Sequence, residues 1–254
     1  MFGQIFLALI LAGAIGAVAG YLGSLMLTKR MALMGGALGH LTLPGMALAL
    51  LYDFDVSLGA MLFLAFGMFA IWFLEQKTRL HLEALTAVVF STSLATAFLF
   101  LPEDEIDIAL LGDISQLSTA AVFITVMISL GLFWVIKSLY AELILAGISP
   151  DLAQTNGVNL KRNNAIYLVC IAITVALGVR IVGGLMTAAL LAIPACTAKN
   201  ISTNLNQYKV ISTIAGSAAC LIGILSYALF GIPSGPAIII ASAILFLMSV
   251  FKSS

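Results

Sequence analysis

Roughly four-fifths of this chain divides into apolar runs of about the length that crosses a lipid bilayer, and the charged residues fall almost entirely in the breaks between them. A helix rises about 1.5 Å per residue and needs about 20 mainly apolar residues to cover the hydrocarbon layer. Hydrophobic residues make up 62% of the chain and charged ones 9%, far from the roughly 45–50% and 25% of soluble domains. Soluble enzyme classes are thereby excluded. The expected fold is all-α, a polytopic transmembrane helical bundle forming a single domain over residues 1–254.

Nine spans are expected, near residues 5–27, 33–51, 57–74, 83–101, 117–136, 163–180, 183–198, 210–230 and 236–251. The first run has no basic start and no small-residue cleavage site, so it reads as a retained span rather than a signal peptide. The run 183–198 is short and contains Pro194, a form tolerated where protein rather than lipid surrounds it. Lys and Arg are held on the cytoplasmic side of short loops. With nine spans the inner side receives Lys29, Arg30, Lys77, Arg79, Lys137, Lys161, Arg162, Lys199, Lys209 and Lys252, and only Arg180 falls outside. That pattern puts the N-terminus outside and the C-terminus inside. The outer loops then carry Asp53, Asp55, Glu103, Asp104, Glu105 and Asp107, a mouth that attracts cations or docks a basic partner face, or simply a set of solvated loop charges. Cys170, Cys196 and Cys220 lie in or at the ends of apolar runs and read as packing residues.

None of the eleven carboxylates falls near the middle of a span. Carriers that couple cation movement to protons or sodium place an ionisable group there. This chain offers instead His40, with hydroxyls such as Thr42, Ser91, Thr92, Ser93 and Thr96. His40 lies about ten residues in from Arg30, or about 15 Å from the inner surface. A histidine at that depth is a functional-site hypothesis, and neutral imidazole suits transition metals such as zinc better than calcium or magnesium. A packing histidine bonded to a neighbouring helix is the competing reading. Gly35, Gly36 and Gly39 before it and Pro44 and Gly45 after it predict a close helix approach and a bend near Pro44.

The longest inner connection, about residues 138–162, contains a short capped helix. Ser149 supplies the cap, Pro150 the first turn, Asp151 an early negative charge, Ala153 the middle and Gly157 the stop. Such an element is a handle for a cytoplasmic partner or a solvated connector.

These features together resemble the permease subunits of bacterial ATP-binding-cassette importers for zinc, manganese and ferrous iron, and look closest to the zinc-uptake permeases. The resemblance rests on Lys29-Arg30-Met31 with Gly35 to His40, Leu110-Leu111-Gly112-Asp113, Ile148 to Val158, Val182-Gly183 through Ile193-Pro194-Ala195, and Pro233-Ser234-Gly235-Pro236. It implies a homodimer with the pathway between its copies, in the inner membrane of a bacterium and surrounded by lipid. A separate ATPase dimer lies beneath and an extracytoplasmic metal-binding protein above, with no nucleic-acid partner. It also implies that Ile148 to Val158 is the coupling helix that seats on the ATPase. No bound cofactor and no enzymatic activity of the chain itself are expected: ATP is used by the partner, and the sequence has no G-x-x-x-x-G-K-[ST] phosphate loop. The transported ion is zinc, manganese or iron(II). One departure stands out. Where the family usually has an Asp four residues before the histidine, this chain has Gly36. The pathway-lining candidates are then Gly36, Thr42, Ser91, Ser93 and Asp113, with Asp113 or the hydroxyls compensating for the missing carboxylate. A self-sufficient secondary carrier and a membrane sensor or assembly protein remain as other classes.

Overall fold

The computed structural model describes residues 2–29, 31–52, 54, 56–78, 80, 82–100, 118–183 and 187–252. The expected acidic loop from Pro102 to Gln116, Asp113 included, lies outside the described residues. Eleven helices account for nearly all of the rest: α1 (Phe2–Thr28), α2 (Ala32–Leu41), α3 (Leu43–Leu51), α4 (Val56–Lys77), α5 (Leu82–Phe100), α6 (Thr119–Ile148), α7 (Pro150–Thr155), α8 (Leu160–Val182), α9 (Thr187–Ile201), α10 (Leu205–Phe230) and α11 (Ser234–Lys252). No strand occurs among the described residues.

Each of the nine expected apolar runs has a helix under it. Six of these helices are long and apolar enough to cross a membrane, and three apolar stretches are shorter: Ala37–Ala49, Ala84–Ala97 and Ala189–Ile201. The first short stretch is broken where a bend was expected. Thr42 turns its hydroxyl back onto the Gly39 carbonyl at 2.6 Å, and α3 restarts with Pro44 in its first turn, where a missing N–H costs nothing. The third, α9, is 15 residues long with Pro194 inside it. Its neighbours are α1, α2, α10 and α11, so the freed backbone is shielded by protein.

The expected inner loop beginning at residue 138 is corrected. Helix α6 does not stop at Lys137 but runs unbroken to Ile148, because Leu139-Tyr140-Ala141-Glu142-Leu143-Ile144-Leu145 holds no breaker and keeps burying a stripe. A helix of 30 residues is about 45 Å long, well beyond a hydrocarbon core of about 30 Å. α7 follows directly on its last turn.

Apolar surface in lipid contributes little to helix association, so close backbone contact and interhelical hydrogen bonds take over. Helix α1 is the centre of this packing, with α10, α6 and α9 around it. At its crossing with α10, an added Cβ on Gly20 would stand 2.1 Å from the Ser212 carbonyl oxygen, a separation only glycine allows. The Ser212 hydroxyl donates to the Gly20 carbonyl at 2.5 Å, and that of Ser217 to the Gly13 carbonyl at 3.1 Å. Large apolar side chains of α4, among them Leu62, Phe66, Phe69 and Phe73, are exposed. Water would penalise such a face heavily; acyl chains accept it. Cys170 and Cys220 are buried, Cys196 is partly buried, and all three are free.

Polar groups gather at the end of the bundle where α1 finishes. The Lys29 ammonium donates to the Asn164 side-chain oxygen at 2.8 Å and lies 4.9 Å from the centre of the Tyr167 ring. Burial pushes its pKa down to about 8, partly opposed by the charge of Glu75. Folding therefore favours neutral Lys29. Below pH 8 the folded and unfolded chains both carry the proton and the full burial cost is present. Between pH 8 and the ordinary value of 10.5 the unfolded chain binds more protons, so stability rises with pH. Melting curves in detergent across that window are expected to show the rise in the wild type and a smaller one in Lys29→Met; identical slopes would contradict the assignment.

Candidate functional site

His40 sits in the last turn of α2, half-buried, one residue before the helix breaks. Its ring packs on Phe90 of α5 with centroids 5.0 Å apart and planes inclined by 50°. Its Nδ1 is buried and has no hydrogen-bond partner among the described residues. Buried polar atoms are rarely left so, because an unmade bond costs about 1–3 kcal/mol. A second such atom belongs to the same helix pair. Ser93 lies three residues after Phe90, on the same face of α5 by helical period, and its Oγ is also buried without a partner. Helices α2 and α5, which pack together, thus carry an imidazole nitrogen and a hydroxyl left unsatisfied among the described residues.

The other pathway candidates are placed differently. Thr42 is fully buried with its hydroxyl bonded to Gly39. Ser91 is exposed and donates to the Ala87 carbonyl at 2.9 Å. Gly36 lies on α2 four residues before His40, and Asp113 falls outside the described residues. No group of three or more His, Cys, Asp or Glu suited to a metal occurs among the described residues.

The inner segment has the caps its sequence predicts. Ser149 Oγ accepts from the Leu152 N–H at 3.4 Å and Pro150 opens α7. The helix ends in a Schellman arrangement: Val158 N–H reaches the Ala153 carbonyl at 3.0 Å and Gly157 N–H that of Gln154 at 2.9 Å. Gly157 has φ 77°, a conformation that costs other residues energy. Ala153 is fully buried beneath α7, while Pro150, Asp151, Leu152, Gln154 and Thr155 face outward. A helix of six residues has little stability of its own; it is held by its caps and by seating Ala153 on the bundle. Beside it a cleft of about 860 Å³ opens between the α6 extension and the start of α10, lined by Ile144, Ile148, Asn204, Gln207 and Lys209 among others.

Two asparagines at the start of α8 escaped sequence reasoning. Asn163, fully buried, donates to Glu142 of α6, and Asn164 receives Lys29. The adjacent pair at the mouth of an apolar run was the available signal, since an Asn about to enter lipid needs a partner.

A bundle of this kind, with six helices long and apolar enough to cross a bilayer and an exposed capped helix after the longest of them, is that of a polytopic membrane protein. The chain belongs to the ABC 3 transport family, which it matches over residues 1–253. It is similar to the manganese transport system membrane protein MntC of Listeria monocytogenes serovar 1/2a, with 25% identity covering 95% of this chain and 88% of that protein. It is also similar to the high-affinity zinc uptake system membrane protein ZnuB of Haemophilus influenzae, with 26% identity covering 99% and 98%. Among solved structures, PsaBC from Streptococcus pneumoniae in complex with Fab has the same fold: its TM-score is 0.81 at 24% identity, covering 95% of this chain and 89% of that one. The protein is a multi-pass membrane protein.

Proposed function

We propose that this chain is the permease subunit of an ATP-binding-cassette importer that moves a divalent transition-metal ion across the plasma membrane into the cytoplasm. Membership of the ABC 3 transport family over nearly the whole chain carries this reading. Relatives named for manganese and for zinc transport supply the cargo class. An imidazole with an unpartnered buried nitrogen supplies a donor suited to it. Zinc, borderline-soft and at home with imidazole, is the ion we assign first, with manganese and iron(II) as the other candidates. In this reading the three shorter apolar stretches complete nine spans, with the N-terminus outside and the C-terminus in the cytoplasm beside the Lys-rich ends.

Two copies pair to enclose the pathway, so that His40 enters it twice. Two imidazoles fall short of the four ligands zinc usually takes, and water or hydroxyls such as that of Ser93 complete the shell. Loose coordination matches the task, because a permeating ion must leave as readily as it enters. α7 seats on a separate ATPase subunit, and ATP binding and hydrolysis there bias the pathway between outward-open and inward-open states. An extracytoplasmic binding protein delivers the ion.

The test is uptake of radioactive zinc or manganese into vesicles carrying the chain with its co-purified ATPase. The expected result is uptake that requires ATP inside the ATPase-accessible compartment and stops when the ATPase is omitted. Uptake by the chain alone, driven by a proton or sodium gradient, would establish a secondary carrier instead.

A further inference from the structure

Whatever the ATPase does to α7 must reach the rest of the bundle through solid contacts, because α7 itself is a short cap on it. Both limbs that flank it end on the same side chain. On the α6 limb, Gly147 faces the Lys29 stem: a Cβ built there would stand 3.0 Å from Lys29 Cγ and 3.8 Å from its Cα. On the α8 limb, Asn164 accepts the Lys29 ammonium at 2.8 Å, and Tyr167, one turn on, lies under the same charge. The two limbs are also tied to each other, since the Asn163 amide donates to Glu142 across the hairpin. α6, α7 and α8 therefore close into one braced unit with Lys29 lodged in its base.

Lys29 follows directly on α1, the helix against which α10, α6 and α9 pack. We propose that Lys29, seated between Gly147 and Asn164, is the positioning residue through which movement of the α7 unit is passed to α1 and from there, across the Gly20–Ser212 crossing, to α10. The proposal rests on the transport reading above and adds to it the route of coupling. The geometry explains features the topology argument leaves idle. A lysine that served only to mark the inner side would stay in water, whereas this one is drawn into a buried polar site against a desolvation cost. Gly147 lies in the last turn of α6, and its lack of a side chain makes room for the stem.

The experiment measures ATP hydrolysis and metal uptake together, in vesicles holding the complete complex, for wild type, Lys29→Met, Lys29→Arg and Gly147→Ala. Methionine keeps the length of the stem and loses the charge. Hydrolysis is expected to stay within about twofold of wild type while uptake per ATP falls about tenfold, the scale of a coupling between sites. Lys29→Arg, which still donates to Asn164, is expected to recover most of the ratio, as a merely structural defect would not. Gly147→Ala, which only displaces the stem, is expected to give an intermediate ratio, and it decides the matter by itself where Lys29→Met fails to assemble. An unchanged ratio, or uptake and hydrolysis falling in parallel, overturns the role of Lys29 and leaves the importer reading standing. A wild-type complex without ATP-dependent uptake overturns both.

Discussion

Metal flux through the folded complex falls about tenfold or more in His40→Ala, while assembly of the complex is largely kept. The reasoning starts from the imidazole's two faces. Its ring area is used against Phe90, and its Nδ1 has no partner among the described residues. Alanine removes both, so a second variant is needed to separate them. His40→Phe keeps a ring against Phe90 and deletes the nitrogens. If the nitrogen serves the ion, both variants lose flux per folded molecule and the phenylalanine variant melts near wild type. If the ring serves packing, alanine lowers the amount of folded complex, phenylalanine restores it, and flux per folded molecule stays level in both. Ser93→Ala adds a weaker test of the same interface: with its Oγ unpartnered, deleting it costs little stability and lowers flux only if the hydroxyl helps complete the ion's shell.

The helices were largely legible because lipid imposes one requirement on every span, a continuous apolar stretch whose backbone bonds are satisfied within it. The break at Thr42 was legible as a bend, through Pro44. The extension of α6 was not. Lys137 looked like a boundary, but a single lysine does not end a helix, and the stop comes only at Ser149-Pro150. The short inner helix was readable to its caps, since Ser, Pro and Gly act within a few residues of one another. At the candidate site the sequence marked His40 and Ser93 separately. That their helices α2 and α5 pack against each other is a matter of the fold, which periodicity alone does not specify. Lys29 was read for the side of the membrane it marks and as part of the Lys29-Arg30-Met31 motif. Its seat between Gly147 and Asn164, well over 100 residues further along the chain, is a product of the fold.

Gly20→Ala is expected to prevent the bundle from assembling, or to lower its melting temperature by about 10 °C, from a cost of about 3 kcal/mol in a chain of this size. The added methyl carbon would lie 2.1 Å from the Ser212 carbonyl oxygen and 2.9 Å from its carbon. Both are backbone atoms on a helix, so no rotamer change relieves the overlap. The helices must part by an ångström or more, and parting them breaks the Ser212 hydroxyl bond to the Gly20 carbonyl. Gly16 and Gly216, which face each other's backbones at the same crossing, lose their contact as well. In lipid no hydrophobic term draws the separated surfaces back together. Gly131→Ala is the matched control: it also lies inside a long apolar helix, but nothing stands within 4 Å of its added carbon, and helix propensity alone predicts a slight gain. Size-exclusion profiles and melting curves of the two purified variants check the expectation. If Gly20→Ala assembles and melts as Gly131→Ala does, α1 and α10 do not approach as closely as their glycines permit, and the rigid crossing between Lys29 and α10 on which the coupling route depends is lost with it.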